Sequence, residues 1–275
     1  MKNREKRRNS LLLPLSICKL LPKDTNLICL LLTLLSLSNT QNFGVLLNYE
    51  KYIIMLEKEF LSPSNLEIFQ DSDLYRFTSD AILLSRFSKV KKGDVVADFC
   101  SGSGVVGFNL YAQNPDKINS VTFFEMQKPL FELSVKSIKH NSLEEKFSAY
   151  NLMVQDIGKE FNGKFSLIVC NPPYMEKGRG FYEEDEFIAV CRTELKLSLE
   201  ELMLSIGKAL KFGGRVNLVH RADRLADVIC QMRKNKIEPK RLQFVLGGKS
   251  EPYLLLIEGV KGGKSGIKIE KNIQN

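Results

Sequence analysis

The sequence predicts an α/β protein built on an open, mostly parallel sheet with helices on both faces. Three observations carry that expectation. From about Lys91 onward, short apolar runs alternate with helix-length amphipathic stretches, the pattern of repeated strand–helix units. A glycine-rich turn follows the first of these strands and opens the first helix, as in sheets that bind ligands at their strand ends. The last two strand candidates lie only a turn apart, too close for a crossover helix, so they should pair antiparallel.

Taken in order, Asp94–Phe99 (DVVADF) reads as a buried strand and Gly102–Asn114 as a helix. Ser120–Phe124 is the next strand and Pro129–Asn141 the next helix. Ser148–Val154 and Ser166–Cys170 (SLIVC) read as further strands. Glu194–Lys211 places Leu195, Leu199, Leu202, Ile206 and Leu210 at helical spacing and runs to Gly213-Gly214, a helix stop. Arg215–His220 is a strand, Asp223–Asn235 a helix, and Arg241–Leu246 and Tyr253–Val260 are the closing strands. Counting Asp94–Phe99 as the first, the expected sheet has seven strands, one of them antiparallel at the end.

The chain of 275 residues is long enough for one large domain, or for a domain plus an extension. An apolar fraction of 44% with 26% charged residues is that of a globular protein with a buried core. The net charge is +8, but residues 1–54 hold eight Lys/Arg against three Asp/Glu and carry five of those charges. The surplus of three left for residues 55–275 is a weak pointer to a nucleic-acid partner. The six cysteines (Cys18, Cys29, Cys100, Cys170, Cys191, Cys230) contain no CxxC pair, and the only histidines are His140 and His220. Neither a zinc site nor a disulfide framework can be written from them, so no metal is expected. Reduced thiols in a cytoplasmic protein are the simplest reading.

Residues 1–54 read differently from the rest. A basic cluster, MKNREKRR, precedes a leucine-rich region broken by Pro14, Pro22-Lys23-Asp24 and Asn39-Thr40. Its longest uncharged apolar run, Leu27–Leu37, is shorter than the roughly 18 residues that span a bilayer. Lys23-Asp24, between the basic start and the apolar run, spoils a signal peptide. Three readings stay open: a segment translated ahead of a natural start at Met55, an arm lying on anionic lipid, or a small helical pair. The expected organisation is therefore a basic, leucine-rich extension over 1–54 and one folded domain over 55–275.

Chemistry concentrates at the ends of successive strands. In Asp98-Phe-Cys-Ser-Gly-Ser-Gly104, Gly102 and Gly104 permit close backbone approach and unusual dihedrals, and their amides at a helix start can face an anionic group. Asp98 can accept from a ligand amine or hydroxyl. Gly102–Gly107 also satisfies G-x-G-x-x-G, so a dinucleotide site is an alternative. Glu125, twenty-three residues beyond Gly102, ends the next strand, where a carboxylate takes two ribose hydroxyls. Asp156 and Ile157 follow the third strand; the carboxylate can accept from an adenine amino group while Ile157 packs on the ring.

The fourth strand delivers Asn171-Pro172-Pro173-Tyr174 to the same edge. The prolines fix their own φ and restrict the residue before them. The Asn171 side chain and the Pro172 carbonyl are thereby preset acceptors, and Tyr174 offers a stacking plane. Two acceptors beside an aromatic ring suit a planar amine such as N6 of adenine. No metal or covalent nucleophile is required, because methyl transfer from a sulfonium needs positioning and electrostatics.

The set DFCSGSG, FFEMQ, QDI and VCNPPY resembles the class I S-adenosylmethionine-dependent methyltransferases that methylate amines, which share a Rossmann-like fold. With YRFTSDAILLSRF, HRADRL, EPKRLQFV and GGKSGIKI, roughly Leu56 to Ile269 is similar to the bacterial tRNA1(Val) (adenine-N6)-methyltransferase family. The resemblance implies S-adenosylmethionine as cofactor and methylation of an adenine beside the anticodon of a tRNA. It gives Asp98, Gly102 and Gly104 to the cofactor's methionine end, Glu125 to its ribose, and Asp156 with Ile157 to its adenine. Asn171, Pro172, Pro173 and Tyr174 go to the target base. Thr78 and Asp80 fall where the family closes over the cofactor's amino-acid end. Residues 1–54 have no counterpart in the family, and the chain stops where relatives run on.

A tRNA partner needs phosphate contacts beside the base pocket. Lys177, Arg179, Arg221, Lys240 and Arg241 are the candidates, with the loop Met175–Tyr182 (MEKGRGFY) best placed. The enzyme is expected to act as a monomer, without stable membrane association. The alternatives are methylation of a glutamine amide in a protein such as a release factor, of rRNA or DNA bases, nucleotide binding without chemistry, and a nicotinamide dehydrogenase. Nucleotide binding alone leaves the preset Asn-Pro-Pro acceptors without use, and for a dehydrogenase nothing near the site supplies a hydride-transfer acid/base.

Overall fold

The computed structural model describes residues 56–61, 66–71, 79–173, 197–248 and 250–274. Two strands the sequence reading left unassigned come first. β1 (Leu56–Leu61) and β2 (Leu66–Asp71) form an antiparallel pair, with Leu56 opposite Asp71. β2 then packs on helix α3 (Lys128–His140), whose C-terminal turn satisfies part of the strand's backbone. Ser137 Oγ accepts from Phe69 N at 2.9 Å, and Asn141 Oδ1 accepts from Glu67 N at 3.1 Å. Asn141 Nδ2 returns a bond to Glu67 O at 2.7 Å, and the Lys136 ammonium lies 4.2 Å from the Phe69 ring centroid.

The remaining elements run α1 (Ser79–Phe87), β3 (Asp94–Phe99), α2 (Val105–Gln113), β4 (Ile118–Phe124), α3, β5 (Phe147–Tyr150), β6 (Phe165–Cys170), α4 (Leu199–Ala209), β7 (Leu210–Arg221), α5 (Leu225–Lys234), β8 (Ile237–Leu246) and β9 (Pro252–Lys261). The sheet order is β5-β4-β3-β6-β7-β9-β8, parallel except that β9 runs against both its neighbours. These are the seven expected strands. Two short ones, β10 (Lys268–Ile269) and β11 (Ile273–Gln274), add along the free edge of β8. The β8–β9 turn closes through Gly247 N to Glu251 O at 3.0 Å, which forces the antiparallel pairing.

Both faces of the sheet are buried. On one, Ala97, Phe99, Phe124, Ile168, Cys170 and Leu218 pack with Leu202, Met203 and Ile206 of α4 and Val228 and Met232 of α5. On the other, Val96, Val121, Phe123, Leu167 and Val169 pack with Leu84 and Phe87 of α1 and Phe108 and Leu110 of α2. β6 is buried at all six positions, which is why SLIVC reads as an unbroken apolar run.

Local chemistry shifts several element ends. α2 starts at Val105 because Gly102 and Gly104 hold left-handed φ values of 56° and 90°. α4 starts at Leu199, where Ser198 and Glu201 form a capping box, with Glu201 N to Ser198 Oγ at 3.3 Å and Ser198 N to Glu201 Oε2 at 2.9 Å. It ends at Ala209, ahead of the glycine pair, and Gly213-Gly214 lies inside β7. A Cβ on Gly214 would stand 2.8 Å from Lys211 O. The third parallel strand stops at Tyr150, and Val154–Asp156 is a 3-10 turn closed by Asp156 N to Met153 O at 2.9 Å. Among the described residues no helix is long and apolar enough to cross a membrane.

Candidate active site

Register brings the chemistry to one edge. Tyr150, Phe124, Phe99, Cys170 and Leu218 are successive partners across β5, β4, β3, β6 and β7. The residues just beyond this row are Cys100–Gly104, Glu125, Asn151 and Asn171, all at the C-terminal ends of parallel strands, where open α/β sheets bind ligands.

Asp98 lies one residue before the end of β3 and is 1% exposed. Its Oδ2 accepts from Gly107 N at 2.9 Å, while Oδ1 is buried with no hydrogen-bond partner. Burial pushes its pKa up to about 8; the Gly107 amide opposes this and the nearby Glu125 adds to it. Glu125 is 5% exposed, and both its oxygens are engaged: Oε2 accepts from Gly102 N and Oε1 from Gln127 N, each at 2.8 Å. Burial raises its pKa, and the amides of Gln127, Gly102 and Met126 pull it back.

The amide of Gly102 is therefore spent on Glu125, and that of Gly104 on Ser101 O at 2.8 Å. The expectation that these two amides face an anionic ligand group is corrected: they close the turn on itself. The glycines supply shape instead. A Cβ on Gly102 would meet nothing within 4 Å, so the turn is open on that side, whereas one on Gly104 would stand 2.9 Å from the Phe108 and Phe123 rings. Gly107 packs tighter still, with a Cβ position 2.5 Å from Phe123, so the third glycine serves helix–sheet contact.

Asn171 directly follows β6. Its Oδ1 is buried and has no partner, Pro172 is buried and Pro173 half-buried. An unsatisfied buried acceptor costs about 1–3 kcal/mol, and such an atom at a strand end marks a place for a ligand donor. Asp156 is exposed on its 3-10 turn, with Ile157 half-buried against the core beside it. Asp80, 7% exposed, lies in the first turn of α1, where Ser79 Oγ approaches its Oδ1 at 3.4 Å. Thr78, Tyr174, Lys177, Arg179 and the segment 1–54 lie outside the described residues.

The remaining basic candidates separate. Arg221 ends β7, beside β6, and is exposed on the Asn171 edge with its guanidinium 2.7 Å from Asp223. Lys240 Nζ donates to Lys264 O at 3.1 Å and Gly266 O at 2.7 Å, holding the strand's following loop. Arg241 is a correction. It is 8% exposed, donates to Phe87 O at 2.6 Å, stacks 4.0 Å over the Phe87 ring and faces Glu258 at 3.3 Å. Its charge closes the C-terminus of α1 and is withheld from any phosphate.

Two polar residues escaped the sequence reading. Ser101 Oγ is buried without a partner inside the glycine turn. Asn151, past the end of β5, donates through Nδ2 to Glu125 O at 2.8 Å and Met126 O at 3.0 Å. A polar residue at the end of each parallel strand was the available signal. Together, the buried carboxylate oxygen of Asp98, the Ser101 hydroxyl, the open side of Gly102 and the Glu125 carboxylate fit a ligand with an ammonium and ribose hydroxyls, as S-adenosylmethionine has. Among the described residues no cluster of His, Cys, Asp or Glu is placed to hold a metal ion.

A seven-strand core with one reversed strand between β7 and β8, and an acid–glycine turn beside an Asn-Pro-Pro end, define a Rossmann-like methyltransferase. The model of the methyltransferase small domain family matches residues 77–221, more than half of the chain, and the chain belongs to that family. It is 26% identical over 135 residues to a tRNA1(Val) (adenine(37)-N6)-methyltransferase of Actinobacillus pleuropneumoniae serotype 5b (strain L20), a match covering 48% of this chain and 56% of that protein. The enzyme of the same name from Shewanella sp. (strain W3-18-1) is 24% identical over 189 residues, covering 66% and 76%. Among solved structures, a predicted O-methyltransferase from Agrobacterium tumefaciens superposes with a TM-score of 0.56 at 16% identity, covering 71% of this chain and 86% of the other, and shares the fold.

Proposed function

We propose that this protein transfers a methyl group from S-adenosylmethionine to the exocyclic N6 of an adenine in tRNA, the tRNA1(Val) position beside the anticodon being the first candidate. The observation that carries the proposal is the buried, unpartnered Oδ1 of Asn171, held by two prolines at the strand end next to the glycine turn. Bound S-adenosylmethionine supplies an electrophilic methyl group. Asn171 Oδ1 and the Pro172 carbonyl accept from the two N–H bonds of the target amine and aim the nitrogen lone pair. Pro173 holds the loop stiff, and Tyr174 stacks on the base. Asp98, with Gly102 giving access and Gly104 letting the turn pack on the Phe108 and Phe123 rings, receives the cofactor's ammonium, Glu125 its ribose hydroxyls, and Asp156 with Ile157 its adenine. Thr78 and Asp80 close over its amino-acid end. Arg221, with Lys177 and Arg179, meets RNA phosphates.

The names of the relatives support tRNA as the substrate. An RNA substrate puts the protein in the cytoplasm, acting as a monomer with residues 55–275 as the working unit and 1–54 as an extension. The test is incubation of the protein with methyl-labelled S-adenosylmethionine and either total tRNA or total protein from cells lacking this protein, so that the target is unmethylated, followed by nucleoside and amino-acid analysis. The expected product is N6-methyladenosine in tRNA. Label on glutamine, with none in tRNA, would overturn the substrate and leave the methyltransferase.

A further inference from the structure

We propose that Asn151 is a positioning residue for the cofactor: it holds the Glu125 turn in its binding geometry and so sets cofactor affinity without touching the cofactor. The proposal rests on the methyltransferase reading and extends it to a residue one strand away from the cofactor's ribose.

The hydrogen-bond pattern at the strand ends is the argument. The ladder between β4 and β5 ends with Glu125 N donating to Tyr150 O at 3.1 Å, and one strand over Ser101 N donates to Phe124 O at 3.2 Å. Beyond those bonds the sheet ladder ends; Gln127 O accepts from Phe131 N at 3.0 Å as α3 begins, and side chains hold the turn Glu125–Gln127 on either side. Glu125 and Asn151 are among them. The Glu125 carboxylate accepts from Gln127 N within the turn and from Gly102 N across it. From the other side, the two N–H bonds of Asn151 cap the carbonyls of Glu125 and Met126, at 2.8 and 3.0 Å. Asn151 thus completes a continuous chain of bonds, from the β5 end through the Glu125 turn to the glycine turn of β3.

That chain has a load to bear. The Glu125 carboxylate is almost fully buried, and a buried carboxylate gains by rotating into water unless its surroundings hold it. Freeing the carbonyls of Glu125 and Met126 lets the turn relax, and the carboxylate leaves both the ribose position and Gly102. Asn151 is itself exposed, so replacing it removes hydrogen bonds and no core packing. This separates positioning from general stability.

The test uses the intact chain. Titration calorimetry with S-adenosylmethionine should show binding about tenfold weaker in Asn151→Ala, as expected for two lost hydrogen bonds. The loss should be at least as large in Asn151→Asp, which keeps the shape but offers acceptors to two carbonyls. The KM for the cofactor should rise in step, while kcat at saturating cofactor and the thermal midpoint without cofactor stay near wild type. Wild-type affinity in both variants overturns the proposal. So does a loss that appears in kcat, or one accompanied by a fall of several degrees in the midpoint, which marks a purely structural role. Folded wild-type protein that binds no S-adenosylmethionine would sink the cofactor reading itself, and this proposal with it.

Discussion

Asp94 and Asp98 sit on the same strand, both buried, and the protein treats them in opposite ways. Asp94, at the N-terminal end of β3, is fully served: Arg215 Nη2 lies 2.6 Å from its Oδ2, Lys91 N donates to the same oxygen at 2.7 Å, and Ser166 Oγ donates to Oδ1 at 2.7 Å. Asp98, at the other end, has the single Gly107 bond and one oxygen with nothing to accept from. Three residues separate a carboxylate whose partners are all built in from one with an oxygen the fold leaves without a partner. The lower end of the sheet is closed with matched charge, and the upper end keeps a buried oxygen unpartnered, as the proposed cofactor site requires.

Removing the upper end's Asn171 acceptor should have the largest effect. Asn171→Ala is expected to lower kcat for methyl transfer on the order of a thousandfold, with the cofactor dissociation constant unchanged, in single-turnover and equilibrium-binding measurements. Near-normal turnover would remove Asn171 from the chemistry. Breaking the lower end should act on folding instead. Arg215→Ala strands Asp94 without its counter-charge and should cost about 3–5 kcal/mol in urea unfolding, with cofactor affinity of the folded fraction retained.

The contrast also predicts a pH signature. The folded-state pKa of Asp98 is about 8, raised above the ordinary 3.8 by burial. The folded protein therefore keeps a proton that the unfolded chain releases, so the stability Asp98 contributes is complete below about pH 4 and lost as pH rises through 8. Without cofactor, stability should decline across that window by a few kcal/mol, and Asp98→Asn should flatten the decline while weakening cofactor binding. An unchanged pH profile in this variant would place the titration elsewhere. The smallest effect is expected at the rim, where Arg221 is exposed and shares its charge with Asp223. Arg221→Ala should weaken tRNA binding several-fold and reduce the salt dependence by about one phosphate contact, measured by filter binding across salt concentrations. No change in either would exclude Arg221 from the RNA surface.

What was legible in advance was local. Alternation of apolar runs with amphipathic stretches located the strands, because a strand buried on both faces has few other compositions open to it. Glycine spacing after DVVADF marked a turn that needs left-handed backbone, and the two prolines after SLIVC marked a stiff strand end. Element ends were read less well: α4 starts where Ser198 and Glu201 cap it, which the S-x-x-E spacing signals and the apolar periodicity upstream overruns. The β1–β2 hairpin went unread although Ser62-Pro63-Ser64-Asn65 is a turn signal, because LEKEFL and LEIFQD hold five charged residues between them and few β-branched ones.

The basic residues show the other limit. Lys240 and Arg241 are adjacent in a basic stretch, and by sequence either could face RNA. Arg241 is buried against Phe87 and Glu258, while Lys240 ties down the loop at Lys264 and Gly266. The amides of Gly102 and Gly104 likewise looked free for a ligand and are taken by Glu125 and Ser101.

By itself the sequence determined the strands, the glycine turn, the position of Glu125 and the preset Asn-Pro-Pro end, because backbone dihedral limits and burial act over a few neighbouring residues. Only the tertiary structure decided which charges are satisfied and which are left open. A carboxylate or guanidinium finds its partner across strands that are distant in sequence, and the cost of burying it depends on that partner alone. That is why Asp94 and Asp98, two buried aspartates of one strand, differ in the fold.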